Sequence, residues 1–139
     1  MGFGPSTRVR MDHMFGDEVL VWDRFLKREG TRVTGCQYDV RLGTGRRPSL
    51  NMSSQDRVMW FELTCKRLDV VCRWLDAIWV VEVKERLCMS ALGQVLAYTQ
   101  LWNSELRSMG QAVPLVVCGQ LDDDLVSVFA GSKVRVECV

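Results

Sequence analysis

Apolar positions recur along this chain with two different periods. Phe15, Val19, Trp22, Phe25 and Leu26 return at helical spacing, and Gly30 supplies a stop, so a helix is predicted over Asp12 to Glu29. Arg32 to Leu42 reads as a strand through Val33, Tyr38, Val40 and Leu42, and the polar, Pro48-broken stretch from Gly43 to Arg57 reads as a loop. Val58 to Trp74 is expected to hold one or two strands, and Ile78 to Lys84 (IWVVEVK) another, with only Trp74 to Ala77 between them as a short hairpin connection. A long helix follows over about Ser90 to Arg107, capped by Ser90, ended by Gly110, with Leu92, Val95, Thr99 and Trp102 as its buried stripe. Pro114 to Cys118 is a short strand and Leu121 to Ala130 a helix whose Asp122, Asp123 and Asp124 complement its positive end. Lys133 to Cys138 is a last strand. Residues 1–11 are expected to be a flexible segment and 12–139 a single domain, ordered α-β-β-β-α-β-α-β, an α/β fold with a central mixed sheet flanked by helices.

The predicted hairpin sorts its side chains into two faces. Pairing Arg73 with Ile78 puts Val71 opposite Val80 and Asp69 opposite Glu82. Val70, Cys72 and Trp74 then share a wholly apolar face with Trp79, Val81 and Val83, which must be core. The other face is apolar near the turn and carries Arg67, Asp69, Glu82 and Lys84 at its far end. Opposed carboxylates destabilise a sheet unless something offsets them. A divalent cation would do so, since Mg²⁺ takes carboxylate, water and phosphate oxygens. Arg67 and Lys84, neutralising the acids on a solvated hairpin end, are the alternative.

Composition narrows the picture without deciding it. The 139 residues are 47% hydrophobic and 25% charged, enough for one domain with a real core. The 18 Lys and Arg nearly balance 17 Asp and Glu, which argues against a strongly basic nucleic-acid arm but not against a local patch. Such a patch exists: residues 41–73 hold Arg41, Arg46, Arg47, Arg57, Lys66, Arg67 and Arg73 against Asp56, Glu62 and Asp69. GTGRRP within it lacks the spacing and the Lys-Ser/Thr of a phosphate-binding P-loop. No membrane span and no secretory leader are seen, so an intracellular, non-secreted protein is expected. Its six scattered cysteines, without a C-x-x-C pair, are expected to be reduced thiols that serve largely as small core residues.

Asp69, followed by Glu82-Val83-Lys84 on an apolar strand, resembles the signature of the PD-(D/E)XK nuclease superfamily. Arg67-Leu68-Asp69-Val70-Val71 is similar to that family's second motif without its eponymous proline, and Gln94 and Tyr98 in ALGQVLAYTQLW resemble the Q-x-x-x-Y motif of several branches. The predicted order of elements also resembles the family's αβββαβ restriction-endonuclease-like core, with a C-terminal αβ extension; the likeness spans about Asp12 to Cys118. The family usually adds an acid from the first helix, for which Glu18 is the best match, with Asp17 and Glu29 as alternatives.

The resemblance implies a Mg²⁺- or Mn²⁺-dependent hydrolase acting on the phosphodiester bonds of nucleic acid, DNA favoured over RNA. Asp69 and Glu82 would hold the metal with the Val83 carbonyl and Glu18, and Lys84 would position or activate the attacking water and offset charge. Gln94 and Tyr98 would orient the lysine or the nucleic-acid backbone. His13, the one histidine, is a further metal-ligand candidate by the same likeness, against a plain helix-start residue. Small members of this kind resemble junction-resolving or phage-type nucleases and work as homodimers, which makes a dimer a further expectation. The rival reading is a non-catalytic nucleic-acid-binding or assembly module on the same fold.

Overall fold

The computed structural model describes residues 14, 16–105 and 109–139. Within them the chain runs α1 (Gly16–Glu29), a 3-10 turn (Gly30–Arg32), β1 (Thr34–Leu42), α2 (Ser54–Thr64), β2 (Lys66–Trp74), β3 (Ala77–Arg86), α3 (Met89–Ser104), β4 (Ala112–Gln120), α4 (Asp123–Gly131) and β5 (Arg135–Cys138). The expected flexible segment at 1–11, His13 and Phe15 lie outside the described residues. One five-stranded sheet, ordered β1-β2-β3-β4-β5, forms the centre. β1, β2 and β3 pair antiparallel, while β3, β4 and β5 pair parallel, so the sheet is mixed as expected and changes character at β3.

Each face of the sheet buries its own apolar layer. On one, Val21, Trp22 and Phe25 of α1 pack over Val70, Cys72, Trp74, Trp79, Val81 and Val83, the six side chains that alternation assigned to a common apolar face. On the other, Ala91, Val95 and Trp102 of α3 and Phe129 of α4 cover Val71, Ile78, Val80 and Val116. Leu68 departs from simple alternation and packs in this second layer with Leu42. Both layers are dry, with Trp22, Phe25 and Phe129 at 0% exposure.

Four local readings need correction. Residues 58–74 are not strand throughout: 54–64 form α2, started by Ser53, whose hydroxyl accepts from the Asp56 N–H. α2 contributes no buried residue, so its sequence carries no apolar stripe by which a helix is recognised. The hairpin connection is tighter than four residues, since Trp74 pairs with Ala77 and only Leu75 and Asp76 turn, both at positive φ (49° and 57°). α3 begins at Met89, with Cys88 and not Ser90 at its N-cap position and no side chain capping it, and it ends at Ser104, well before Gly110. All six cysteines are free, but only Cys72 and Cys118 are fully buried, and Cys138 is exposed.

Candidate active site

The register of the central hairpin builds the site. β2 and β3 pair as predicted from Arg73 with Ile78 through Val71 with Val80, and the ladder stops at Val70 with Val81, one step short of Asp69 and Glu82. Beyond that step β2 stays with β1 (Leu68 with Val40, Lys66 with Leu42) and β3 stays with β4 (Glu82 with Val116, Lys84 with Cys118). The sheet therefore forks between its two inner strands. Asp69 sits in the fork, and its Oδ2 accepts the Val83 N–H at 2.9 Å, a side chain taking the place of a strand-to-strand backbone bond.

A cavity of about 550 Å³ opens from this fork. Asp69, Glu82 and Lys84 line it from the sheet, Glu18 from α1, and Gln94 and Tyr98 from α3. The structure thus brings together five sequence-predicted catalytic residues and the predicted helix acid. Val83, the remaining expected ligand, lies between Glu82 and Lys84 with its side chain in the α1-covered core. Gln94 and Tyr98 stand one turn apart on one face of α3, as their spacing requires. A larger concavity of about 1000 Å³ lies at the turn end of the hairpin, but it is lined by Arg32, Arg73, Trp74 and Asp76 and holds no paired carboxylates. Chemistry selects the smaller cleft.

Electrostatics in the fork are tense. Asp69 and Glu82 are 8% and 4% exposed, so two carboxyls share a nearly dry site. Burial pushes the Asp69 carboxyl up to about 6, against the Val83 N–H that favours its ionised form, and the charge of Glu18 adds to the rise. Burial, then the charge of Asp69, pushes Glu82 up to about 8 despite Lys84. Lys84 Nζ lies 3.2 Å from Glu82 Oε1. Burial pulls the Lys84 ammonium down, but Glu82, backed by Glu18 and Asp69, outweighs it and holds Lys84 above the ordinary lysine value. Burial, then the charges of Glu82 and Asp69, raise the Tyr98 hydroxyl. Two buried oxygens, Glu82 Oε2 and Gln94 Oε1, have no hydrogen-bond partner.

Several cleft residues escaped the sequence reading. Glu62, Leu63 and Cys65 reach the cleft from α2 and its end, and Lys66 from the start of β2, beside Arg67, which the hairpin register had already placed there. The Ser53-x-x-Asp56 cap was the one available signal for the helix that carries them. Arg67 does not neutralise the paired acids: it lies 3.6 Å from Asp39 and 3.5 Å from Glu62 and donates to the Glu62 carbonyl. Arg41 likewise binds Glu62 at 2.6 Å, and Arg73 lies at the opposite end of β2, so the basic patch around the cleft is smaller than the sequence count. Among the described residues no group of three or more His, Cys, Asp or Glu side chains is drawn together as a metal cage, and no helix is long and apolar enough to cross a membrane. Compared with protein-family models, curated proteins and solved structures, the chain matches none.

Proposed function

We propose that this protein is a Mg²⁺- or Mn²⁺-dependent nuclease of the PD-(D/E)XK kind that hydrolyses phosphodiester bonds, with DNA favoured over RNA. The observation that carries the reading is the fork: Asp69, Glu82 and Lys84 meet where β2 and β3 part, with Glu82 Oε2 buried and unpartnered. A fold gains nothing from two dry carboxyls side by side, whereas a hard divalent cation needs that donor set and fills its remaining positions with water and phosphate oxygens. The succession α1, β1, β2, β3, α3, β4 supports the same reading, since it is the order of a restriction-endonuclease-like core with α2 inserted and α4 and β5 appended.

Asp69 and Glu82 would hold the metal, with Glu18, which lines the cleft from α1, and the Val83 carbonyl as further donors. When bound, the ion supplies Lewis-acid polarisation of the phosphate and activation of water. Lys84, anchored on Glu82, faces the reacting phosphate as a cation and offsets the charge that develops during in-line attack. Gln94 and Tyr98 present an amide and a hydroxyl from the α3 wall to orient the lysine or a backbone oxygen.

The test is cleavage of labelled single-stranded, double-stranded and branched DNA and of RNA with Mg²⁺ or Mn²⁺. EDTA should abolish cleavage, and Lys84→Ala should slow it at least about 100-fold, the scale of removing one charge-stabilising donor. Nucleic-acid binding with no cleavage on any substrate would replace the enzyme with a non-catalytic module.

A further inference from the structure

α2 and the loop before it stand beside the cleft as an arm attached by polar contacts. Glu62 joins Arg41 and Arg67 of the sheet, while inside the arm Trp60 donates to the Arg46 carbonyl and Thr64 accepts from the Arg46 N–H, tying the loop to α2. The arm half-buries Trp60 and Phe61 but leaves four apolar side chains in solvent: Leu50 is 91% exposed and Leu63 76%, with Val58 and Met59 also exposed. Met59 and Leu63 form an i, i+4 ridge whose lower end lines the cleft. Exposed Arg46, Arg47, Arg57 and Lys66 lie among them.

We infer that this arm grips single-stranded nucleic acid, its cations on backbone phosphates and its apolar ridge on unpaired base faces, and leads the strand into the cleft. Interleaved cations and apolar side chains complement a polyanion whose bases are uncovered. A second copy of the chain would bring the same cations face to face in a two-fold interface, which opposes self-association through this surface. A duplex keeps its base faces stacked inside and offers the ridge nothing. The ridge runs down to the cleft of about 550 Å³, so a strand held on the arm is led toward Asp69 and Glu82. The link to cleavage rests on the nuclease reading above; the grip itself does not.

The experiment measures anisotropy of a labelled oligo-dT and of a duplex of equal length with the full chain in EDTA, across a salt series. The single strand should bind at least about 10-fold tighter than the duplex. Leu50→Ser with Leu63→Ser, both at exposed positions, should weaken single-strand binding about 10-fold, the scale of losing the apolar area that the two side chains bury against bases, and should leave the melting temperature in place. Arg46→Ala with Arg47→Ala should lower the salt slope on the single strand by about 1.4. Equal affinity for both substrates overturns the inference, as does unchanged binding by the leucine variant. It is also overturned if sedimentation shows a dimer that the leucine variant dissociates without any change in binding. Parallel cleavage assays separate the two readings. Arm-dependent single-strand binding without cleavage keeps the grip and removes the nuclease, and cleavage without strand preference does the reverse.

Discussion

Glu82 concentrates the chemistry of the site in one side chain. Its Oε1 meets Lys84 at 3.2 Å, its Oε2 is buried without a partner, and its carboxyl titrates at about 8. In the unfolded chain the same carboxyl releases its proton near pH 4, as does that of Asp69, which titrates at about 6 when folded. Between those values the folded protein binds more protons than the unfolded one, so stability falls as pH rises. The metal-free protein is therefore expected to be most stable below about pH 4 as far as these groups contribute, and to lose that contribution progressively up to about pH 8. Urea unfolding in EDTA across that range measures it. Glu82→Gln removes the second charge and should flatten the profile and stabilise the protein at pH 8 by at least about 2 kcal/mol, less than the full rise from near 4 to about 8 would carry because the amide still has to be buried and Lys84 loses its partner. A variant less stable than wild type at pH 8 would show that the pair is not strained.

At the scale of elements, what was legible followed from what is buried. The central hairpin was readable down to its pairs because Val70, Cys72, Trp74, Trp79, Val81 and Val83 alternate into a dry face, and burial enforces register. Asp69, Glu82 and Lys84 came with that register, although nothing local announced that the ladder would stop at Val70 with Val81 and open a fork. Gln94 and Tyr98 were readable because Val95, Thr99 and Trp102 fix the rotation of α3. α2 was not, because a helix with no fully buried residue leaves no clear period in the sequence. The hairpin turn shows a second limit. Leu75 and Asp76 both adopt positive φ, a two-residue turn for which Asn-Gly is the usual signal. Left-handed backbone costs about 1–2 kcal/mol at an ordinary residue, and Leu75 is 48% exposed, so packing repays little of it. Replacing the pair by Leu75→Asn and Asp76→Gly should stabilise the protein by about 1 kcal/mol and raise Tm by roughly 3 °C. An unchanged or lower Tm would mean that Leu75 makes a contact worth as much as the strain.

Across the whole molecule, the site lies where the sheet changes its rule. β3 is antiparallel to β2 and parallel to β4, and Glu82 to Lys84 approach its carboxyl end, the region where open α/β sheets gather ligands. Helices cover both faces of the sheet, and Asp69 and Glu82 keep only 8% and 4% exposure although they line the cleft. Such a site stores instability that a cation should release, and the effect must appear in the stability of the whole fold. Mg²⁺ at about 100 times its dissociation constant should add about 2.7 kcal/mol, on the order of 9 °C in Tm for a chain of this size. The gain should be large at pH 8 and small near pH 5, where Asp69 at about 6 and Glu82 at about 8 still hold their protons. Glu82→Gln gives the sharper outcome. It should exceed the metal-free wild type at pH 8, because the repulsion is gone, and gain almost nothing when Mg²⁺ is added, because the donor is gone too. A wild-type Tm that ignores Mg²⁺ and Mn²⁺ at pH 8 would mean that the strained pair serves something other than a metal.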